Sequence, residues 1–493
     1  MSTRYKGSLI SATPASSSST AAYGLWKQSE AAQLVNTAWP TGNDPYWSSV
    51  STLLTGEAAT GTDNMTFIDS STNNYTLTAA TSLYQGTFNP FSSVGPYSPS
   101  VNGGSAFFNT LTSTLLTPSS ATSWSFGTGT FTIEFWMNPQ ALSTTNGVIV
   151  SNFIAASGSY VVGQWKFGCN NSASGQLAFT WATSTTAVST ITSGANLPTL
   201  NTWQHVAIVR NGTTITIYLN GTSVGSGTMS TSLGATGTLA IGYQQTGSTF
   251  YYNGYLSNVR IVKGTAVYTT TFTPPTAPLT AISGTQLLLN FTNANIIDNG
   301  MGTNISGSNS GTLNNIASNA VKYGTGSLWF NANIFVCSNS IKTQLGTGDF
   351  TIEGWISFNS SSSGPGMCYA SKGTSTTGWE IVNSSTNTLQ FSYTATSLIG
   401  TTVIKSLTWY HFAVVRSGSA IGNLKIYLNG VLDATSTVAV TTNFNQTSDM
   451  YFGTTRGGIT TNLVGNIDDF RITKGVARYT ANFTPPQQSL PIQ

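Results

Sequence analysis

The stretch FGTGTFTIEFW at residues 126–136 returns as LGTGDFTIEGW at residues 345–355. In the first copy, Phe131, Ile133 and Phe135 alternate with other residues, and this period of two places all three on one face of a β-strand. The second copy keeps the same alternation. We therefore predict that the chain contains one β-domain twice.

Further blocks recur in the same order. They are WQHVAIVR at 203–210 and WYHFAVVR at 409–416, IYLNG at 217–221 and 426–430, NVRIVKG at 258–264 and DFRITKG at 469–475, and FTPP at 272–275 and 483–486. The spacing between blocks drifts by a few residues, which indicates duplication followed by insertions and deletions in loops. Apolar residues on both faces predict strands that are covered on both sides. The Asn-Gly pairs favour type I′ hairpin turns. Short strands with such turns predict a two-sheet sandwich.

The repeats divide the chain into five segments. They are an N-terminal arm (residues 1–60), repeat one (61–275), a linker (276–284), repeat two (285–486, opening with a strand at 286–291) and a tail (487–493). The arm is predicted to be extended or short-helical, because it is too small to bury a core. It carries Trp26, Trp39 and Trp47, which either dock onto a larger structure or pack back onto repeat one.

The composition excludes several classes of protein. Charged residues are 6% of the chain, with 17 Lys+Arg and 14 Asp+Glu. Coiled coils need charged faces, and a nucleic-acid site needs clustered Lys and Arg, so neither is expected. No apolar stretch reaches the length of a membrane helix, so we expect no membrane insertion. The three cysteines are Cys169, Cys337 and Cys368, and they are interpreted as reduced thiols.

The recurring blocks resemble the laminin-G-like, concanavalin A-like jelly-roll family over roughly residues 61–486. This resemblance implies a curved two-sheet jelly roll that binds glycans or proteins through rim loops, often with a calcium ion. The repeat ending KG-x-A-x-YT-x-x-FTPP, together with RYKGSLISATP at residues 4–14, is similar to virion proteins of tailed phages, especially marine ones. The same fold also hosts glycosidases and structural modules, so fold alone does not decide function.

Two repeated side chains are the candidates for catalysis. Glycoside hydrolysis needs a pair of carboxyl groups, but Glu134 and Glu353 each stand alone on their strands. We expect each to pair with a repeated arginine. His205 and His411 occupy equivalent mid-strand positions, where a hydrogen-bonded core histidine is expected. The sequence therefore predicts a protein that is not an enzyme.

Two kinds of ligand site are expected. If calcium is used, Asp298, Asp468 and Asp469 in repeat two are the ligands, because calcium takes carboxylate oxygens; the alternative is that they cap turns. Phe250 and Tyr251 have no aromatic counterparts in repeat two. Exposed aromatic rings stack on sugars, so these two are the candidate ligand contacts, with a loop anchor as the alternative.

The leading hypothesis is a non-enzymatic phage virion component, on a tail fibre or attached to the capsid. Its arm would contact other virion proteins, and its two sandwiches would bind host-surface glycans weakly, with many copies supplying avidity. The alternatives are a capsid decoration protein without a ligand, a glycoside hydrolase of the same fold, and a bacterial surface adhesin. A homo-oligomer is left open.

Overall fold

The structure is a computed structural model built from four β-sheets, with almost no helix among the described residues. It describes residues 44–58, 66–79, 83–91, 97–108, 114–117, 122–142, 147–154, 159–170, 175–234, 237–245, 251–294, 296–301, 304–308, 316–317, 320–324, 326–331, 334–359, 366–374, 376–456 and 463–491. Trp26, Trp39, Phe250 and the proposed short helix of the arm lie outside these residues.

The strands follow one another along the whole described chain. The first fifteen are β1 (Val50–Ala58), β2 (Thr78–Ala79), β3 (Gln85–Gly86), β4 (Ser105–Phe108), β5 (Leu115–Leu116), β6 (Phe131–Pro139), β7 (Gly147–Ser151), β8 (Trp165–Asn170), β9 (Gln176–Ala182), β10 (Val188–Thr192), β11 (Gln204–Asn211), β12 (Thr214–Leu219), β13 (Thr222–Thr228), β14 (Ala240–Ile241) and β15 (Gly254–Lys263). The others are β16 (Thr285–Leu289), β17 (Ile296–Asp298), β18 (Ile305–Ser308), β19 (Ile316–Ala317), β20 (Ser327–Asn331), β21 (Ile334–Cys337), β22 (Phe350–Phe358), β23 (Cys368–Lys372), β24 (Trp379–Asn383), β25 (Thr388–Tyr393), β26 (Thr396–Val403), β27 (Tyr410–Arg416), β28 (Leu424–Leu428), β29 (Val431–Thr435), β30 (Met450–Phe452) and β31 (Val464–Lys474). Helical structure among the described residues is limited to α1 (Pro99–Asn102) and the 3₁₀ turns Trp47–Ser49 and Ile341–Thr343.

Each repeat is a pair of antiparallel sheets, as the sequence predicts. In repeat one, sheet A1 runs β13-β12-β11-β6-β15-β4-β3 with β16 beside β15, and sheet B1 runs β10-β9-β8-β7-β14-β5-β2. In repeat two, sheet A2 runs β17-β1-β31-β22-β27-β28-β29 with β20 beside β31, and sheet B2 runs β18-β21-β30-β23-β24-β25-β26. The all-β jelly-roll prediction is therefore confirmed. None of the described helices is long and apolar enough to cross a membrane.

The alternating side chains fill the space between the sheets. Phe131, Ile133 and Phe135 of β6 are fully buried in the core of repeat one, and Phe350 and Ile352 of β22 are fully buried in the core of repeat two. Burying each such side chain stabilises the fold by about 1.5–3 kcal/mol. All three cysteines lie in the described part of the chain, buried, and none forms a disulfide.

The other face of each A sheet is covered by the segment that follows the last strand. Ala207, Val209 and Tyr218 pack there against Tyr268 and Phe272. The equivalent cluster in repeat two joins β27 and β28 to Tyr479 and Phe483. This second layer explains why β11 and β27 are apolar on both faces.

The predicted Asn-Gly turns hydrogen-bond to the segment that covers the outer face of each A sheet. Asn220 and Gly221 have φ values of 49° and 80°, so both adopt the positive φ that a type I′ turn requires. The Gly221 carbonyl accepts the Phe272 amide at 3.0 Å. A Cβ on Gly221 would lie 1.8 Å from the Phe272 carbonyl oxygen, so no other residue fits this approach.

The two repeats exchange their opening strands. β16, which the sequence division gives to repeat two, pairs with β15 in sheet A1, with Arg260 opposite Leu288. β1, which the division gives to the arm, pairs with β31 in sheet A2, with Leu53 opposite Arg471. The chain therefore closes repeat two with its N-terminal strand.

β1 and β16 occupy equivalent places. The Asp298 carboxylate accepts the Leu53 amide at 2.8 Å, and the Asp69 carboxylate accepts the Leu288 amide at 3.0 Å. Because both strands carry the same apolar pattern and meet the same type of neighbour, their sequences do not specify which repeat each one joins.

The repeats also contact each other directly. The Asn304 carboxamide accepts the Phe88 amide at 3.0 Å and donates to the Ser105 carbonyl at 3.0 Å. A Cβ on Gly86 would lie within 2.5–2.7 Å of Asn304 atoms, so this contact requires a glycine. The exchange and these bonds join the two sandwiches into one unit.

The pairings of β1 and β16 predict that core truncations act on the sandwich that each strand joins, and not on the segment to which the sequence division assigns the strand. Leu54→Ala should weaken repeat two, and the matched variant Leu289→Ala should weaken repeat one, each by about 2–5 kcal/mol, since both side chains are about 1% exposed in those cores. Peptide-resolved hydrogen exchange measures this: L54A should raise exchange in β22 and β27, and L289A in β6 and β11. If L54A instead shows faster hydrogen exchange in β6 and no change in β22, the proposed swap of β1 and β16 between the repeats would be contradicted.

Candidate functional site

The centre of sheet A1 holds a buried carboxylate with charged and polar partners. Glu134 Oε1 accepts from Arg260 Nε at 2.9 Å and from Arg260 Nη2 at 2.6 Å. Its other oxygen accepts from the Tyr268 hydroxyl at 2.7 Å and lies 3.2 Å from His205 Nε2. The Glu134 side chain is fully buried. All the contacts come from repeated positions, so the predicted pairing with a repeated arginine is present.

Repeat two builds the same arrangement with one addition. Glu353 Oε1 accepts from Arg471 at 3.0 and 2.7 Å, and Glu353 Oε2 accepts from the Tyr479 hydroxyl at 2.7 Å. Asp44, from the segment before β1, accepts from Arg471 at 2.9 Å and from Arg478 at 2.7 Å. The N-terminal segment therefore supplies a carboxylate to the interior of repeat two.

The surroundings keep both glutamates ionised. Burial by itself raises the pKa of Glu134, but the hydrogen bond from His205 and the charge of Arg260 outweigh it, so the pKa lies below the usual value. For Glu353, burial is outweighed by Arg471 and the other donors, and the pKa is again lowered. Burial and the adjacent Glu134 raise the pKa of Tyr268, which keeps its hydroxyl protonated as a donor.

The two histidines belong to these buried groups. His205 and His411 are buried beside Glu134 and Glu353, at 3.2 and 3.5 Å. An ionised carboxylate only accepts hydrogen bonds, so the nitrogen of His205 that faces Glu134 carries its proton there. The second ring nitrogen, His205 Nδ1, is buried and has no hydrogen-bond partner.

The candidate calcium ligands Asp468 and Asp469 lie at a β-bulge in β31. Asp469 has a positive φ of 46°, as does its counterpart Asn258 with 50°. Asp469 Oδ2 accepts the Leu490 amide at 3.0 Å, and Asn258 Oδ1 accepts the Leu279 amide at 2.8 Å. Because the aspartate and the asparagine each accept a backbone amide at equivalent positions, this position needs a hydrogen-bond acceptor rather than a negative charge.

The other candidate acids also accept from the backbone. Asp298 Oδ1 accepts from Leu53 and Gly300 at 2.8 and 2.9 Å. Asp468 Oδ2 accepts from Lys322 and Tyr323 at 3.0 and 3.2 Å. Within the described residues, no group of three or more His, Cys, Asp or Glu side chains could hold a metal ion. All three acids accept backbone amides, mostly from segments distant in sequence, and only the Asp298 bond to Gly300 caps a turn. The calcium site stays a prediction.

Of the aromatic candidates, Tyr251 and Trp47 lie within the described residues. Tyr251 is half-buried and forms an isolated β-bridge with Tyr243. Trp47 packs against Val50, Leu53 and Leu490, so it contacts repeat two rather than repeat one.

Two depressions differ in size. On the outer face of sheet B1, a depression of about 130 Å³ is lined by Lys166, Thr180 and Thr190 among others. It is smaller than the roughly 300–1,000 Å³ of typical small-molecule sites. Repeat two has a cleft of about 430 Å³, which falls within that range.

The larger cleft, called the edge cleft here, opens between β26 and β29, the edge strands of sheets B2 and A2. Its lining is Tyr393, Thr396, Ser397, Leu398, Ile399, Thr401, Asp433, Ala434, Thr435, Ser436, Thr437 and Val438. Asp433 Oδ1 accepts from the amides of Thr401 and Thr402 at 3.3 and 2.9 Å, which joins the two strands. The cleft thus combines hydroxyl groups, one carboxylate and aliphatic side chains.

The motifs shared by the two repeats do not predict this cleft. The sequence feature that marks it is a set of positions at which the repeats differ. In the paired registers, Gly225 lies opposite Ile217 as Ala434 lies opposite Ile426, so the alanine replaces a glycine. Aligning β13 with β29, the strands that follow the two IYLNG blocks, reveals this difference. The alignment does not reveal that a cleft opens between two sheets at this position.

A family model described as the concanavalin A-like lectin/glucanases superfamily, of the laminin G type, matches residues 109–267 and 330–478. These ranges fall in the two repeats and together span more than half of the chain. None of the curated proteins matches the chain.

Several solved structures are similar in part. Domains LG4-5 of the mouse laminin alpha1 chain are 12% identical, with 81% of this chain and 99% of that chain covered and a TM-score of 0.29. The binding domain of Paraclostridial Mosquitocidal Protein 1 is 12% identical, with 84% and 99% covered and a TM-score of 0.33. Domain 4 of an extracellular arabinanase from Geobacillus stearothermophilus, in complex with arabinotriose, is 18% identical, with 39% and 88% covered and a TM-score of 0.27.

The buried glutamates are expected to matter for stability. Glu134→Gln should lower the free energy of unfolding by about 3–5 kcal/mol, because it leaves the buried Arg260 guanidinium without its counter-charge. Glu353→Gln should cost less, because Arg471 keeps its ion pair with Asp44 at 2.9 Å. Asp349→Asn is the control: it removes a charge just before β22, where the side chain accepts an exposed hydrogen bond from Gly418, and should cost less than about 0.5 kcal/mol. Urea unfolding measures all three. A loss in E134Q no larger than that in D349N would contradict this structural role.

Proposed function

The chain belongs to the concanavalin A-like lectin/glucanases superfamily, and from this premise we propose that it is a non-enzymatic carbohydrate-binding component of a phage virion. The observation that carries the binding part is the edge cleft of repeat two. Its volume of about 430 Å³ suits a small ligand. Its hydroxyl groups can exchange hydrogen bonds with sugar hydroxyls, and its aliphatic side chains can cover the apolar face of a sugar ring.

The state of the two repeated glutamates supports binding without turnover. A glycosidase places two carboxyl groups about 5–5.5 or 6.5–9.5 Å apart around the scissile bond, and one of them must donate a proton. Glu134 is a single buried carboxylate whose oxygens accept from Arg260 and Tyr268. Its lowered pKa favours the ionised form, which is a poor general acid.

The assignment to a virion is supported by the likeness of the start and the repeat endings to tailed-phage proteins. In this proposal the N-terminal arm contacts other capsid or tail proteins, and the sandwiches face the host surface. Weak binding by each copy becomes strong when many copies engage one surface.

Glycan binding is tested with the purified full chain on a glycan array, followed by incubation with the bound glycans. We expect binding to a subset of glycans and no release of shortened products. A blank array combined with no binding to host cells would instead favour a decoration protein without a ligand. Turnover that disappears in E134Q or E353Q would favour the glycosidase.

Attachment is tested by removing residues 1–43 only, because Asp44 and β1 complete repeat two. The shortened protein should fold and bind glycans as the full chain does but should be missing from purified particles when these are analysed by mass spectrometry. Absence of the full chain from particles would remove the virion assignment, and equal incorporation of the shortened chain would remove the role of the arm.

A further inference from the structure

We infer that, within the part of the chain that the structure describes, the glycan site is confined to the edge cleft of repeat two, and that this site selects short uncharged oligosaccharides over acidic ones. This inference rests on the proposed carbohydrate binding and specifies where it occurs and for which ligand. It draws on the differences between the repeats, on the charges around the cleft and on the exposure of its rim.

Repeat one closes the corresponding edge. β10 and β13 are the edge strands there. A Cβ on Gly225 would lie 2.2 Å from the Thr192 carbonyl oxygen, and a Cβ on Gly227 would lie 2.8 Å from Ile191 Cδ1. The two edges therefore approach as closely as they do only because both positions of β13 are glycine.

Repeat two cannot close in this way. Ala434 takes the place of Gly225 in the paired register. Its Cβ, and that of Ser436 two residues later, occupy the space into which β10 fits in repeat one. In repeat two, β26 approaches β29 most closely at a glycine of β26: a Cβ on Gly400 would lie 2.0 Å from Asp433 Oδ2. The edge strands are thus joined through one side chain, and the space beside it stays open.

The charges around the cleft indicate the ligand. Asp433 is the charged residue of the lining, which contains no lysine or arginine. Lys425 lies opposite Thr435 on β28, but its Nζ donates to the Thr480 carbonyl at 3.1 Å. Recognition of a carboxylate or sulfate normally uses arginine or lysine.

Arg456 donates to the Thr394 carbonyl beside the lining at 3.1 Å, but it is already paired with Glu380 at 3.3 Å. An acidic sugar would lose hydration here, find no unpaired cation in the lining and meet the Asp433 carboxylate.

The rim of the cleft is apolar and accessible. Ile399 is 50% exposed and Val438 is 54% exposed, one on each side. They can pack against the C–H groups of a sugar ring while the threonine and serine hydroxyls of the lining meet its polar edge.

Asp433 is a positioning residue in this site. Its Oδ1 bonds to Thr401 and Thr402 fix β26 relative to β29 and so set the width of the cleft. In repeat one, β13 reaches Thr192 by direct backbone approach and needs no such side chain.

The location is tested with Ile399→Arg and Val438→Arg in the full chain. Ile421→Arg is the matched control, because Ile421 is also aliphatic, 67% exposed and outside the lining. Each rim variant should weaken binding to the best neutral glycan of the array at least about tenfold, with I421R within about twofold of wild type, by calorimetry. Since all three side chains are exposed, unchanged melting temperatures should show that the variants fold.

The outcomes separate the two proposals. If wild type binds a neutral glycan and the rim variants bind it equally well, the edge cleft is not the site, although carbohydrate binding stands. If wild type binds no glycan, both proposals fail. A stoichiometry of two glycans per chain would overturn the confinement to repeat two.

The selectivity is tested with Asp433→Asn, which keeps an acceptor for the Thr401 and Thr402 amides and removes the charge. Wild type should bind the neutral glycan at least about tenfold more tightly than its sialylated or sulfated form. In D433N this ratio should fall, because the variant removes the charge that disfavours an acidic glycan. An unchanged ratio, or a wild type that prefers the acidic form, would overturn the selectivity.

Discussion

One buried ion pair in each A sheet links the parts of the fold on which the rest depends. It joins β6 to β15 in repeat one and β22 to β31 in repeat two. Glu134 connects β6 to β15 through Arg260 and to the covering segment through Tyr268. A buried ion pair contributes little net stability, because desolvation offsets its attraction, yet leaving one partner alone is costly. The pair therefore specifies register: a slip of one residue would turn Glu134 from Arg260 toward the apolar core.

In repeat two the same pair also holds the N-terminal segment. Arg471 bonds to Glu353 and to Asp44, so the chain before β1 is fixed where the last strand meets the central one. In repeat one, Arg260 uses its remaining donor on the Thr280 carbonyl at 2.7 Å, from the segment that leads into β16. Each arginine thus contacts the segment that precedes its closing strand, although the two segments lie far apart in sequence.

The duplication leaves different chemistry at the corresponding sheet edges of the two repeats. The inner faces and the buried network are nearly the same in both repeats, because a change there would leave a cavity or an unpaired charge. The edge strands are less constrained. Replacing Gly225 by the equivalent Ala434 keeps the strand and adds a Cβ at the position where β13 approaches β10 in repeat one. Binding capacity can therefore arise in one repeat without loss of the common core.

The sequence alone determined the duplication, the all-β class, the Asn-Gly turns, the two-sided burial of β11 and the pairing of Glu134 with a repeated arginine. Each of these follows from local periodicity or from two copies that can be compared. It did not determine that β1 and β16 are exchanged, because both strands carry the same pattern and fit the same kind of edge. It did not determine the edge cleft either. Whether two sheet edges touch depends on clearances of about one Cβ atom at Gly225 and Ala434, and only the tertiary structure sets these.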